Sequence, residues 1–380
     1  MFKRLLDKGL PPVVVRVLAF ICTEQYGWVK WGDANSYTMR ISNGTRQGAI
    51  LSPLFWAVYS DPMLKRLRSL RLGAHVAGLF MGAFCYADDV LLIAPTRNAM
   101  QRMLLELESF ATESNITFST DINPNKSKSK CIFVCGSKRN LEKPAPLTLC
   151  GKILPYVRQA DHLGNVLTEM GNMEQDASVK RASFIRSSSE IREMFKHAAP
   201  QEVIKALKIY CTSFYGSSLW DLNSVKARQM YSAWDYSVKL VWNCPPWTRT
   251  YFVQHLLCCG FTSASVDIKS RFVTFYQSLR SSASYEVQVM ARFLGKDIQS
   301  TTGRNLRHIE EASGLNPRNT SSKKIREALV MSELVEVPPE DKWRLQYICK
   351  LLHQRGQAEV LGMEQEGELI NELIASLVKN

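Results

Sequence analysis

Apolar side chains fall at Met100, Met103, Leu104, Leu107, Phe110 and Ala111, the i, i+3, i+4, i+7 spacing of one helix face. Residues 97–114 are therefore expected to form an amphipathic helix. Residues 1–22 also read as helix, and so do 53–67, where Leu54, Ala57, Val58, Leu64 and Leu67 lie near helical spacing. Period two replaces this rhythm elsewhere. "VKWGDANSYTMRISNG" reads as a hairpin turning at Gly32–Asp33, with alternation through Tyr37, Met39 and Ile41. "AGLFMGAFCYADDVLLIA" reads as two short apolar strands around a tight turn at Asp88–Asp89, and Pro95 ends the second. Further strands are expected at 116–119, at 131–135 and near 147–149, 152–157 and 161–167, with "NLEKPAPL" a linker-like loop. From about residue 174 the pattern is helical to the end. The chain thus reads as an α+β block followed by a mainly helical one.

Composition changes this picture little, and charge changes it more. A hydrophobic share of 46% and a charged share of 22% are those of a globular protein, and 380 residues suffice for two or three domains. No run of about 18 apolar residues appears, so no membrane span is expected. The start combines early basic residues with a later apolar stretch, but Asp7, Pro11 and Pro12 interrupt it and it reads as part of the fold. The net charge of +13 divides into +9 over residues 1–165, +8 over 166–330 and −4 over 331–380. Two basic blocks before an acidic tail suit a polyanion, most simply nucleic acid. Ten scattered cysteines include no CxxC pair. His255, Cys258 and Cys259 with Cys244 come nearest to a zinc set, but adjacent cysteines suit one ion poorly and buried free thiols are the expectation. That usage points to a reducing compartment, cytoplasmic or nuclear, and not to secretion.

The chemistry concentrates at Asp88 and Asp89. A lone Asp–Asp pair is ordinarily a turn. Here six of the seven residues after Asp89 are apolar, and an apolar strand precedes. A strand–turn–strand with two carboxylates at its tip offers hard oxygen ligands suited to magnesium, which keeps waters and bridges to substrate phosphates. Gly44 and Gly48 let a loop approach a base pair without a Cβ in the way. Gln47 offers an amide donor and acceptor, and Arg46 suits phosphate. Lys126 and Lys128 lie in a basic run that reads equally as a solvated loop touching nucleic-acid backbone. Trp220, Trp234, Trp242 and Trp247 suit either base stacking or, for most of them, a helical core.

"CYADDVLLIA" resembles the active-site hairpin of reverse transcriptases. "ISNGTRQGAILSPLFWAVYSDPML", residues 41–64, resembles their glycine–glutamine–glycine loop and following helix, and the order and spacing are those of LINE-type, non-LTR retrotransposons. The 97–114 helix and "FSTDINPNKSKSKCIFV" resemble the next motif; Lys126 or Lys128 matches its lysine, with Lys128 the better fit by spacing. "PYVRQADHLGNVL" resembles the primer-grip hairpin, with Leu163 and Gly164 at its turn. "VKRASFIRSSSEIR" and "YCTSFYGSSLWDL" resemble the helical thumb, and residues past about 245 resemble the C-terminal regions of such elements. Four motifs in order are far more specific than one.

The resemblance implies a partial right-hand polymerase palm over residues 1–168, a thumb-like region over 169–250 and a helical C-terminal region over 251–380. It implies two-metal nucleotidyl transfer with Mg²⁺ or Mn²⁺ on Asp88 and Asp89, and Lys128 acting as an acid on the departing pyrophosphate. Gly44, Arg46, Gln47, Gly48, Tyr86 and Lys126 would meet template and nucleotide. The partners implied are RNA template, DNA primer and dNTP. The family employs a third carboxylate on a strand upstream of the glycine-rich loop. None of Asp7, Asp33 or Asp61 has an apolar strand around it, so that acid is expected before Met1, in an upstream polymerase and endonuclease region of one polyprotein. Read this way the chain is N-terminally truncated and inactive alone. The alternative is a non-catalytic nucleic-acid-binding relic or domesticated protein. A third possibility rests on "EVLGMEQEGELINELIASLVKN", whose Leu361, Leu369, Ile370, Leu373 and Leu377 lie near helical spacing and suit packing on a partner.

Overall fold

A computed structural model of the chain describes residues 1–41, 44, 48–121, 123, 126–134, 144–249 and 261–333. They fall into two compact units, one of Met1–Cys131 with Glu142–Tyr156, the other of Ile132–Leu141 with Val157–Asn380.

The first unit opens with two helices where one was expected, α1 (Phe2–Asp7) and α2 (Pro12–Thr23). Gly9 takes a φ of 87°, and Pro12, lacking an N–H, starts a new helix more readily than it continues an old one. β1 (Gln25–Gly27) pairs with β4 (Met39–Ile41), and between them β2 (Lys30–Trp31) and β3 (Ala34–Asn35) close the expected turn at Gly32–Asp33. α3 (Ser52–Ser69) follows, and buries Phe55, Val58, Met63 and Leu67.

Next come two hairpins, β5 (His75–Val76) with β6 (Leu79–Phe80), and β7 (Ala83–Tyr86) with β8 (Asp89–Leu92). At their junction the backbones of Gly73 and Gly82 touch. A Cβ on Gly73 would lie 2.6 Å from Gly82 Cα, so only glycine fits. The same crossing carries Ala74 N–H to Ile93 O and Ile93 N–H to Gly82 O, both at 2.8 Å. α4 (Arg97–Ser114) has the bounds its periodicity predicts. Thr96 caps its start by accepting from Ala99 N–H, and left-handed Asn115 ends it. Its buried Met103, Leu104, Leu107 and Phe110 meet Met63 and Leu67 of α3 and Leu147, Leu149 and Leu154 from β9 (Thr148–Leu149), β10 (Lys152–Ile153) and their flanks. Residues 116–119 form no strand, and of the expected strand at 131–135 the described part makes one isolated bridge, Cys131 to Tyr156.

In the second unit β11 (Gln159–His162) pairs with β12 (Asn165–Thr168). The helices are α5 (Glu174–Met194), α6 (Pro200–Cys211), α7 (Val225–Val241), α8 (Ala264–Arg280), α9 (Tyr285–Lys296), α10 (Thr301–Ser313) and α11 (Ser322–Glu333). Ser224, Ser263, Ser284 and Ser300 each cap a helix start with the side-chain oxygen. One core runs through this unit from Ala177 and Phe184 by Trp220, Trp234 and Trp242 to Ile325 and Leu329. These three tryptophans are core residues, whereas Trp247 is 77% exposed. Asp176 is fully buried; one oxygen accepts from Val166 N–H at 3.0 Å and the other from Trp220 Nε1–H at 2.7 Å. The Asn305 amide bonds Leu222 N–H at 2.9 Å and Trp220 O at 2.8 Å.

All strands among the described residues are antiparallel and occur as separate pairs beside helices, the α+β class expected. No described helix is long and apolar enough to cross a membrane.

Candidate active site

The β7–β8 hairpin is half-buried. Ala83, Cys85, Val90 and Leu92 pack on the α3–α4 core, and the alternate residues Phe84, Tyr86, Asp89 and Leu91 take the other face. Burial pushes the Cys85 thiol up. The turn sits one residue earlier than expected. Tyr86 pairs with Asp89, so Ala87 and Asp88 form the turn and Asp89 is the first residue of β8. Ala87 pays with a left-handed φ of 49°, a conformation alanine rarely adopts. A turn at Asp88–Asp89 would pair Cys85 with Leu92 and keep the same four apolar residues on one face, so side-chain alternation alone does not choose between the two turns.

Both carboxylates are exposed, and neither has a hydrogen-bond or ion-pair partner among the described residues. Two adjacent hard oxygen donors without partners among the described residues fit a divalent cation of the magnesium type. Among the described residues no group of three or more His, Cys, Asp or Glu is placed to hold a metal ion. Asp61 is engaged elsewhere: it pairs with Lys65 at 2.9 Å and Lys8 at 3.2 Å, and chiefly the Lys65 hydrogen bond holds its carboxyl below the ordinary range. Trp56 of α3 donates its indole N–H to Ala87 O and so braces the turn from the helix that follows Gly48. Nothing in the sequence singled out Trp56, because its partner is a backbone carbonyl.

Gly44 and Gly48 both adopt positive φ, 92° and 77°, with open space where a Cβ would stand. Arg46 and Gln47 lie outside the described residues. So do His255, Cys258, Cys259 and the acidic tail. Lys126 and Lys128 are exposed on either side of buried Ser127, whose hydroxyl accepts from Asp121 N–H at 3.2 Å and donates to Ser129 O at 2.6 Å. The basic loop is thus anchored by its serine while its lysines project. Burial raises the Cys131 and Cys211 thiols to about 11, as suits packing rather than reactive cysteines.

In the second unit Leu163 and Gly164 form a two-residue turn, with φ of 48° and 72°. Two left-handed residues in sequence make the tight hairpin turn whose twist matches the flanking strands. Lys180 and Tyr215 contact this turn.

Residues 10–165 match the family described as reverse transcriptase (RNA-dependent DNA polymerase). The chain is 26% identical over 167 residues, 40% of its length, to the retrovirus-related Pol polyprotein from type-1 retrotransposable element R2 of Nasonia vitripennis. It is 26% identical over 158 residues, 39% of its length, to the putative 115 kDa protein in type-1 retrotransposable element R1DM of Drosophila melanogaster. The matched stretches span only 16% and 14% of those two relatives.

Proposed function

From residues 10–165, which are reverse-transcriptase sequence of the LINE-type, non-LTR kind, we propose that the chain is the catalytic-hairpin part of an RNA-directed DNA polymerase of a retrotransposon. The observation that carries this is the pair Asp88 and Asp89, adjacent, exposed and unpartnered among the described residues, on a hairpin whose other face is fixed in a core. In this reading the two carboxylates hold Mg²⁺ or Mn²⁺. When bound, such ions neutralise the attacking and leaving oxygens of an in-line displacement. Lys128 holds a proton at Nζ for the departing pyrophosphate, and Lys126 meets nucleic-acid backbone. Gly44, Arg46, Gln47 and Gly48 admit template and the incoming dNTP beside Tyr86, while Leu163 and Gly164 steady the DNA primer. The work would be done in the cytoplasm or nucleus, within a larger polyprotein that also carries upstream polymerase and endonuclease regions.

A two-metal centre needs more ligands than two neighbouring carboxylates provide. The chain alone is therefore expected to extend primers little or not at all. Primer extension on poly(rA)/oligo(dT) with Mg²⁺ or Mn²⁺ tests this. Robust extension abolished by Asp88→Asn would overturn the inactivity and leave the polymerase reading standing. Salt-dependent nucleic-acid binding without extension is the result expected of a chain with an incomplete centre, a relic or domesticated binder included.

A further inference from the structure

The β11–β12 turn is held more firmly than a hairpin tip requires. Lys180, on the second turn of α5, donates from Nζ to Gly164 O at 2.7 Å. The same ammonium lies 5.6 Å from the centre of the Tyr215 ring. That ring closes over the turn: a Cβ on Gly164 would stand 3.2 Å from Tyr215 Cε1. Beside it Asn165 donates from Nδ2 to Leu163 O at 3.2 Å. Asn165 Oδ1 sits where Gly216, at a φ of 79°, would otherwise place a Cβ, only 1.8 Å away. One residue further on, Val166 N–H meets the buried Asp176 carboxylate, which also holds Trp220. The hairpin, the start of α5 and the segment 215–220 are therefore locked into one another.

Two features of this assembly face outward. Tyr215 is 58% exposed although one edge lies on Gly164. Lys180 spends one ammonium hydrogen on Gly164 O and has no carboxylate within ion-pair distance among the described residues. An ammonium has three donors, so two remain, together with an uncompensated charge. An exposed aromatic face next to an ammonium with donors to spare, fixed on rigid elements, is a pairing that can hold a nucleotide: ring on base or sugar, ammonium on phosphate.

We infer that Lys180 and Tyr215 complete the Leu163–Gly164 turn as a binding site for the last nucleotide of a primer strand. Tyr215 stacks on that nucleotide and Lys180 takes the adjoining phosphate. The inference rests on the polymerase reading, since it gives the turn a primer to hold. It adds two residues that lie outside the hairpin, 16 and 51 positions beyond Gly164.

Equilibrium binding of the full chain to two fluorescent duplexes tests it. One is an RNA/DNA hybrid with a recessed DNA 3′ end; the other has the same sequence with that end closed by a hairpin loop. Lys180→Met and Tyr215→Ala should each weaken the open-ended duplex about tenfold, with little change for the closed one. Lys180→Arg and Tyr215→Phe should restore most of the loss, which a merely structural lesion would not allow. A primer ending in 5-iodouracil should crosslink to Tyr215 in the unaltered chain, a measurement that does not depend on any variant folding. If the wild-type chain prefers the open end but neither truncation changes that preference, or if the crosslink falls elsewhere, the inference is wrong and the polymerase reading survives. If the wild-type chain binds neither duplex, both fail.

Discussion

The indole N–H of Trp56 is bonded to the carbonyl of Ala87, so a helix side chain holds the backbone of the turn that carries Asp88. The bond links the segment after Gly48 to the carboxylate pair within one unit. It also places an aromatic reporter beside the candidate cation site. Mn²⁺ should quench Trp56 emission, read as the difference between the wild-type chain and Trp56→Phe. Asp88→Asn or Asp89→Asn should shift the quenching midpoint about tenfold upward, because each removes one unit of charge beside a divalent ion. Quenching that ignores both substitutions would move the cation away from this turn.

Gly73→Ala should destabilise the first unit by about 1–3 kcal/mol, the usual cost of forcing a methyl into filled space. Its Cβ would meet the Gly82 backbone at 2.6 Å, and backbone cannot swing aside as a flexible side chain can. Urea unfolding followed at Trp56 reads this unit, and an unchanged midpoint would contradict the close approach.

Asp176→Ala should cost about 2–6 kcal/mol, since it strands the Val166 N–H and the Trp220 Nε1–H in the core. Trp220→Phe, which removes one of those donors together with its ring, leaves a carboxylate still served by Val166. Combining it with Asp176→Ala should cost less than the two losses added, because the indole donor cannot be stranded twice. Additive losses would argue against the shared carboxylate.

His308 gives the second unit an acid-sensitive point. Burial, helped by Lys269, holds its imidazole below the ordinary value, against the pull of Glu311 and Asp221. The folded chain thus binds this proton less readily than the unfolded one. The resulting stability is complete at neutral pH and falls as pH drops below the ordinary histidine value of about 6.5. Chemical unfolding at pH 7 and 5.5 should show His308→Gln losing less stability than the wild-type chain over that interval.

How much of this was legible beforehand differs from element to element. Helix α4 was readable from its apolar stripe alone, and the Thr96 cap and left-handed Asn115 of the structure fall at the same ends. The Asp88–Asp89 hairpin was readable as an element but not in its register. Local preference puts two aspartates in the turn, while the pairing of Ala83 with Leu92 puts Ala87 there instead. Both pairings leave Ala83, Cys85, Val90 and Leu92 on one face, so the alternation that marks the hairpin in the sequence does not fix which pair of residues turns. The run 116–119 is strand-like in composition yet finds no ladder, since a strand needs a partner that composition cannot supply. Trp56, Lys180 and Tyr215 could not be found in advance, because each acts on a backbone atom or a glycine distant in sequence.

The Asn305 amide has a consequence for the order of synthesis. It is the partner of Trp220 O and Leu222 N–H, 85 and 83 residues earlier in the chain. While the protein is being made, that stretch leaves the ribosome with two polar groups that must be buried and nothing yet to bond them. The tryptophan at its centre has to wait, solvent-facing or chaperone-held, until α10 arrives. The Trp220–Leu222 stretch therefore gains its last two polar partners only once α10 has been made.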